Sequence, residues 1–197
     1  MKIEEALYGK YRLVAGKLGE KFVARAFHNR SSNGRGVIAE VEGASSLEAI
    51  SALKDALKAR DNSRAQARRY IERLDFHVPT TEEFVEALRA VGPKPAEWDM
   101  LGAHARAGES GLNPLQIAKA GGYNTVSNAN ALYGKLGRKL EDHLAVTAPN
   151  ASTRDGDVPT GILAIYEADP RGSDVMVWIM HPELREAVAA ASPYKHK

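Results

Sequence analysis

The segment "LNPLQIAKAGGYNTVSNANALYGKLGRKL", residues 112–140, constrains the fold more tightly than any other part of the chain. Asn113 followed by Pro114 marks a helix start: the amide can cap, and proline takes the first helical position, where its missing N–H costs nothing. Leu115, Ile117 and Ala118 begin a short helix, and Gly121 and Gly122 permit the positive backbone angle that closes it. Ala129, Leu132, Leu136 and Leu140 then recur every three or four residues, which turns one face of a second, longer helix toward a core. A short helix, a glycine turn and a longer helix make a helix-turn-helix. The outward positions collect Ser127, Asn128, Asn130, Ala131, Lys135, Arg138 and Lys139, amides toward one end and cations toward the other.

That outer surface suits DNA. In helix-turn-helix proteins the N-terminal part of the second helix enters the major groove. Asparagine can hold adenine through two hydrogen bonds, and lysine or arginine can bind guanine or phosphate. Base contacts are therefore expected from Ser127, Asn128, Asn130 and Lys135, and backbone contacts from Arg138 and Lys139. Thr125, at the helix N-terminus, is placed to hold a phosphate. Downstream, "TAPNASTRDGDVPT" is a polar loop, and "GILAIYEA" and "VMVWIMH" flank the turn "DPRGSD" as a hairpin. Helices followed by such a hairpin have the order of a winged helix, and Arg171 at the tip could reach a phosphate or the minor groove. "PELREAVAAA" closes the chain as a short helix.

Upstream, "YRLVAGKL", "EKFVARAFH" and "GVIAEVEG" predict a three-stranded antiparallel meander. Ser45 or Ser46 caps the helix that follows, Glu48 favours its dipole, and Leu47, Ile50, Leu53 and Leu57 form its apolar stripe. The spacing extends this helix through "KARDNSRAQARRYIERL", where Arg60, Arg64 and Arg68 share a face beside Arg69 and Arg73. Two readings stay open there. Arg64, Arg68 and Arg69 extend a phosphate-binding footprint, or the arginines pair with Asp61, Glu72 and Asp75 on a solvated connector. Pro79 ends the segment, and Thr80 with Glu83 predicts a capping box for a helix carrying Phe84, Leu88 and Val91. Trp98, Leu101 and Ala105 mark another helix. The expected organisation is α+β: a β-β-β-α domain over 1–78 and a winged-helix domain over 79–197.

Composition limits the remaining classes. The 197 residues contain no cysteine, which excludes disulfides, thiolate metal sites and cysteine nucleophiles. No apolar run reaches a membrane span and the start lacks a secretion signal, so a cytoplasmic protein without a membrane partner is expected. Residues 1–80 hold 15 Lys/Arg against 10 Asp/Glu, and residues 81–197 hold 12 against 15, so the basic charge lies in the first part. The six histidines lack metal-ligand spacing, and "GESGLN" lacks the lysine of a phosphate-binding loop. No catalytic residue, metal or cofactor is expected. Glu40 and Glu42 are the candidates if the chain is instead a nuclease. Tyr11, Phe22 and Phe27 would stack bases if it binds RNA, although core packing explains them more simply.

Two family resemblances accompany these residues. "PTTEEFVEALRAV", "IAKAGGYNTVSNANALYGKLGRKL" and "VWIMHPEL" resemble a winged-helix accessory domain of prokaryotic HNH-type restriction endonucleases. The resemblance implies a specificity module that reads DNA for a nuclease, with no catalytic residue carried across, and the expected setting is restriction-like defence or transcription control. The first 60 residues are similar to the β-β-β-α unit of HicB-type antitoxins, with "SSLEAISALKDAL" as its helix. That implies a partner-binding or ligand-binding surface. The expected partners are double-stranded DNA, a nuclease or toxin protein, and a second copy in a homodimer; an antitoxin-like adaptor is the alternative function.

Overall fold

The computed structural model describes residues 3–29, 36–149, 158–172 and 175–194. Most of the polar loop before the hairpin lies outside them. The chain divides into two compact units, Met1–Ala67 and Arg68–Lys197.

Unit 1 is an antiparallel sheet in the order β1 (Glu4–Tyr8), β2 (Tyr11–Leu18), β3 (Lys21–His28) and β4 (Val37–Gly43), covered on one face by α1 (Ser46–Ala67). The sheet has one strand more than the meander expected from sequence. β1 joins β2 through a two-residue loop, with Tyr8 opposite Tyr11 and Gly9 at φ 53°. Its outward positions are Glu5 and Leu7, the latter 70% exposed, so apolar alternation does not announce the strand. Tyr11, Leu13, Ala15, Ala24 and Ala26 pack against Ala49, Leu53 and Leu57 of α1, and small alanines let the helix lie close to the sheet. Ser45 and Glu48 form a reciprocal N-terminal cap: Ser45 Oγ accepts from the Glu48 N–H, and Glu48 accepts from the Ala44 N–H. Leu47, expected in the apolar stripe, points outward at 77% exposure; Ala49 takes the inward place in the first turn.

The expected continuation of α1 forms through Arg60 and Arg64 but stops short of Arg68. The helix ends at Ala67, and β5 (Arg69–Ile71) pairs antiparallel with β6 (Phe76–Val78) in unit 2. Ile71, Phe76 and Val78 join the core there, a burial that a continued polar helix would forgo. Unit 2 thus begins at Arg68, where the sequence placed a boundary near Pro79.

Unit 2 continues with α2 (Thr81–Val91), α3 (Pro95–Ala107), α4 (Pro114–Ala120), α5 (Val126–Leu144), the hairpin β7 (Ala164–Ala168) and β8 (Met176–Met180), and α6 (Pro182–Ala191). The Thr80–Glu83 capping box of α2 forms as the sequence predicts. One core joins Phe84 and Leu88 of α2, Trp98, Met100 and Leu101 of α3, Ile117 of α4, Leu136 and Leu140 of α5, Trp178 of β8 and Leu184 of α6. A strand residue precedes α4: the Leu112 N–H donates to the Trp178 carbonyl at 3.0 Å, and the Trp178 N–H returns to the Leu112 carbonyl at 2.9 Å. Gly111 makes this approach feasible, because at its φ of +59° a Cβ would stand 2.5 Å from the Trp178 oxygen. Leu112, β8 and β7 are therefore consecutive neighbours across a small sheet.

Candidate nucleic-acid interface

The α4–α5 pair is built as its punctuation predicts, with one change. Asn113 accepts from the Gln116 N–H at 2.9 Å while Gln116 accepts from the Asn113 N–H at 2.9 Å. Of the two turn glycines only Gly122 has a positive φ, +82°. Gly121 has φ −87° and serves close packing instead, since a Cβ there would lie 2.7 Å from Met100 Cγ on α3. Thr125 then starts α5, its Oγ1 accepting from the Asn128 N–H at 3.3 Å. The hydroxyl hydrogen is still able to donate to an anion.

The inner face of α5 is Ala129, Tyr133, Leu136, Gly137, Leu140 and Leu144. Leu132, expected inside, is half-buried, and Tyr133 fills the core position. Tyr133 stacks on Trp178 with ring centroids 5.4 Å apart. Buried His104 of α3 lies 2.7 Å from the Trp178 carbonyl through Nε2 and 3.2 Å from the Tyr133 hydroxyl through Nδ1. A carbonyl can only accept, so Nε2 carries the hydrogen, and Nδ1 accepts from the tyrosine. Burial lowers the His104 pKa to about 4, against the smaller opposing effect of the carbonyl bond. The ring is neutral at pH 7 and fixes α3, α5 and β8 together. Sequence reading missed this network because its members lie far apart in the chain.

The outer face carries the predicted contacts. Thr125, Ser127, Asn128, Asn130, Lys135, Arg138 and Lys139 are all exposed. Helical spacing separates them: Ser127, Ala131, Gly134 and Arg138 run along the middle of the outward face, with Asn128 and Lys135 beside them. Asn130 shares a row with buried Tyr133 and Gly137, which turns it to the flank. Among the described residues Lys135, Arg138 and Lys139 make no ion pair. Lys119, exposed just before the turn, adds a cation that the sequence reading did not select.

The other expected cations are placed differently. Arg68 donates to both carboxylate oxygens of Glu83, at 2.7 and 3.1 Å, with side chains only 14% and 6% exposed. Arg69 pairs with Glu183 at 2.7 and 3.0 Å. Burial, the largest single effect, opposes ionisation of that carboxyl, but the Arg69 hydrogen bond, a backbone N–H bond and the nearby positive charge together outweigh it and leave the Glu183 pKa below its ordinary value. Arg68 and Arg69 are thus ion-paired within unit 2, and neither extends a helical phosphate-binding face. Their partners are remote glutamates, not the nearby Glu72 or Asp75. Arg171 is exposed at the hairpin turn, with its guanidinium on Asp169 at 2.8 and 2.9 Å. Arg64 belongs to α1 of unit 1.

The alternative sites find structural partners. Glu40 pairs with Arg25 and Glu42 with Lys21, both across β3 and β4 at 2.5 Å, as ordinary cross-strand ion pairs. Tyr11 is buried and donates to Asp61 at 2.9 Å, and Phe22 packs on the unit 1 core. Phe27 lies under the Arg12 guanidinium at 5.0 Å from the ring centroid. Among the described residues no helix is long and apolar enough to cross a membrane. No family model matches the chain, and comparison with curated proteins and with solved structures finds no similar protein.

Proposed function

We propose that the protein binds double-stranded DNA through a winged helix formed by α3, Leu112, α4, α5 and the β7–β8 hairpin. The observation that carries this reading is the outer surface of α5. Amides near its first turn and cations in its third and fourth, unpaired among the described residues, offer groove and phosphate contacts on one exposed face. The order helix, bridge strand, helix, helix, hairpin supports it, because Leu112 pairs with β8 as the first strand of a winged helix pairs with its wing. Thr125, Ser127, Asn128, Lys135, Arg138 and Lys139 are the proposed contacts, and Asn130 and Arg171 lie at the margins. A setting in restriction-like defence or transcription control, in the cytoplasm, follows from the same reading.

Fluorescence anisotropy of the full chain with random duplex DNA, at low and moderate salt, tests it. Binding that weakens steeply as salt rises is expected. Equal or tighter binding to single-stranded RNA, or no binding to either, would contradict the proposal.

A further inference from the structure

Two features of the outward face of α5 are unexplained by the fold. Gly134 lies in the interior of the helix, where glycine is less favourable than alanine. Yet a Cβ added there would meet nothing within 4 Å. No packing in the described structure requires the glycine. With Ser127 and Ala131 it keeps that row free of bulk from Ser127 up to Arg138, so another molecule can come close to the helix backbone there. The second feature is Asn128. Its N–H is fixed by Thr125, whereas its exposed side-chain amide makes no hydrogen bond among the described residues.

We infer that α5 reads adenine at close range, with Asn128 as the base-reading residue and Gly134 as the point of closest approach. The inference rests on the DNA-binding reading given above. An asparagine amide presents one donor and one acceptor, which match N7 and the N6 amino group of adenine in the major groove. Guanine offers two acceptors on that edge and leaves the asparagine carbonyl without a donor. Ala131, one turn along, can meet a thymine methyl group on a neighbouring pair. Asn130 is excluded from this role by its turn toward the buried row of Tyr133 and Gly137.

The test begins with selection of bound duplexes from a random pool by the full chain. Their adenines are then replaced by 7-deazaadenine, which removes the N7 acceptor and leaves Watson–Crick pairing intact. The expected result is an adenine-containing consensus, a loss of about tenfold or more on replacement, and no further loss when Asn128→Ala is combined with it. Gly134→Leu should keep or raise the melting temperature, since leucine favours helix, while lowering duplex affinity at least about tenfold. Duplex binding unaffected by 7-deazaadenine and by Gly134→Leu would overturn the inference and leave the DNA-binding reading standing. Absence of duplex binding would overturn both.

Discussion

Arg68, Arg69, Arg73 and Arg171 carry the same charge as Lys135, Arg138 and Lys139 and lie in the same unit, but their surroundings are opposite. The four arginines are held by Glu83, Glu183, Glu167 and Asp169. The three cations of α5 project from an exposed helix face without an acidic partner among the described residues. Unit 2 has 15 Lys/Arg against 17 Asp/Glu, so its total charge gives no hint of an anionic ligand. What matters is where the acids are spent. Most of those in ion pairs hold the unit together, and the cations of α5 are left without an acidic partner among the described residues.

If that division is real, the paired arginines should govern stability and the α5 cations should govern binding. The largest effect is expected at Arg68, because removing it takes the bidentate arginine from the buried Glu83 carboxylate. Arg68→Ala should cost about 3 kcal/mol of stability in urea denaturation, with duplex affinity unchanged under conditions where the variant stays folded. A stable Arg68→Ala protein with weakened DNA binding would break the comparison.

Acid provides an effect of similar size on the inner face of α5. The His104 pKa falls from 6.5 to about 4 on folding, so the unfolded chain takes up the proton first as pH drops. Stability is full above pH 6.5, declines between 6.5 and 4, and loses about 3 kcal/mol in total below that window. His181, buried and likewise lowered, acts in the same direction. Thermal melts across this range check the sign, and duplex affinity between pH 7 and 8 should be flat.

On the outer face, Asn128→Ala should reduce discrimination between duplex sequences by about 1–3 kcal/mol while leaving stability near wild type. Arg138→Ala should weaken binding to all sequences alike and lower the salt slope by about 0.9. The smallest effect is expected at Arg171, whose guanidinium is already occupied by Asp169. Arg171→Ala should leave duplex affinity unchanged in anisotropy titrations, and a clear loss would bring the hairpin tip into the interface.

Local chemistry made much of unit 2 legible in the sequence. Asn113, Pro114 and Gln116, like Thr80 and Glu83, act within a few residues, so their caps could be read directly. The outward row of α5 followed from helical period alone. Long-range partners could not be read this way. The α1 arginine spacing runs on past Ala67, but the chain turns into β5 because Ile71, Phe76 and Val78 find a core whose other members come from much later residues. Arg68 and Arg69 lost their expected role for the same reason, their glutamates being Glu83 and Glu183. β1 escaped notice because Leu7 faces outward and Glu4 inward, which reverses the usual alternation. In the candidate interface, sequence selected both Asn128 and Asn130, and only the burial of Tyr133 and Gly137 separates them.

The most direct test is the salt dependence of duplex affinity for wild type and for the Arg138→Ala/Lys139→Ala double variant. The account predicts a linear fall of log affinity with log salt for wild type, and a slope smaller by about 1.8 for the variant at unchanged thermal stability, from two lost phosphate contacts. Identical slopes, or a wild type that binds no duplex at low salt, would contradict the assignment of α5 as the DNA-binding surface.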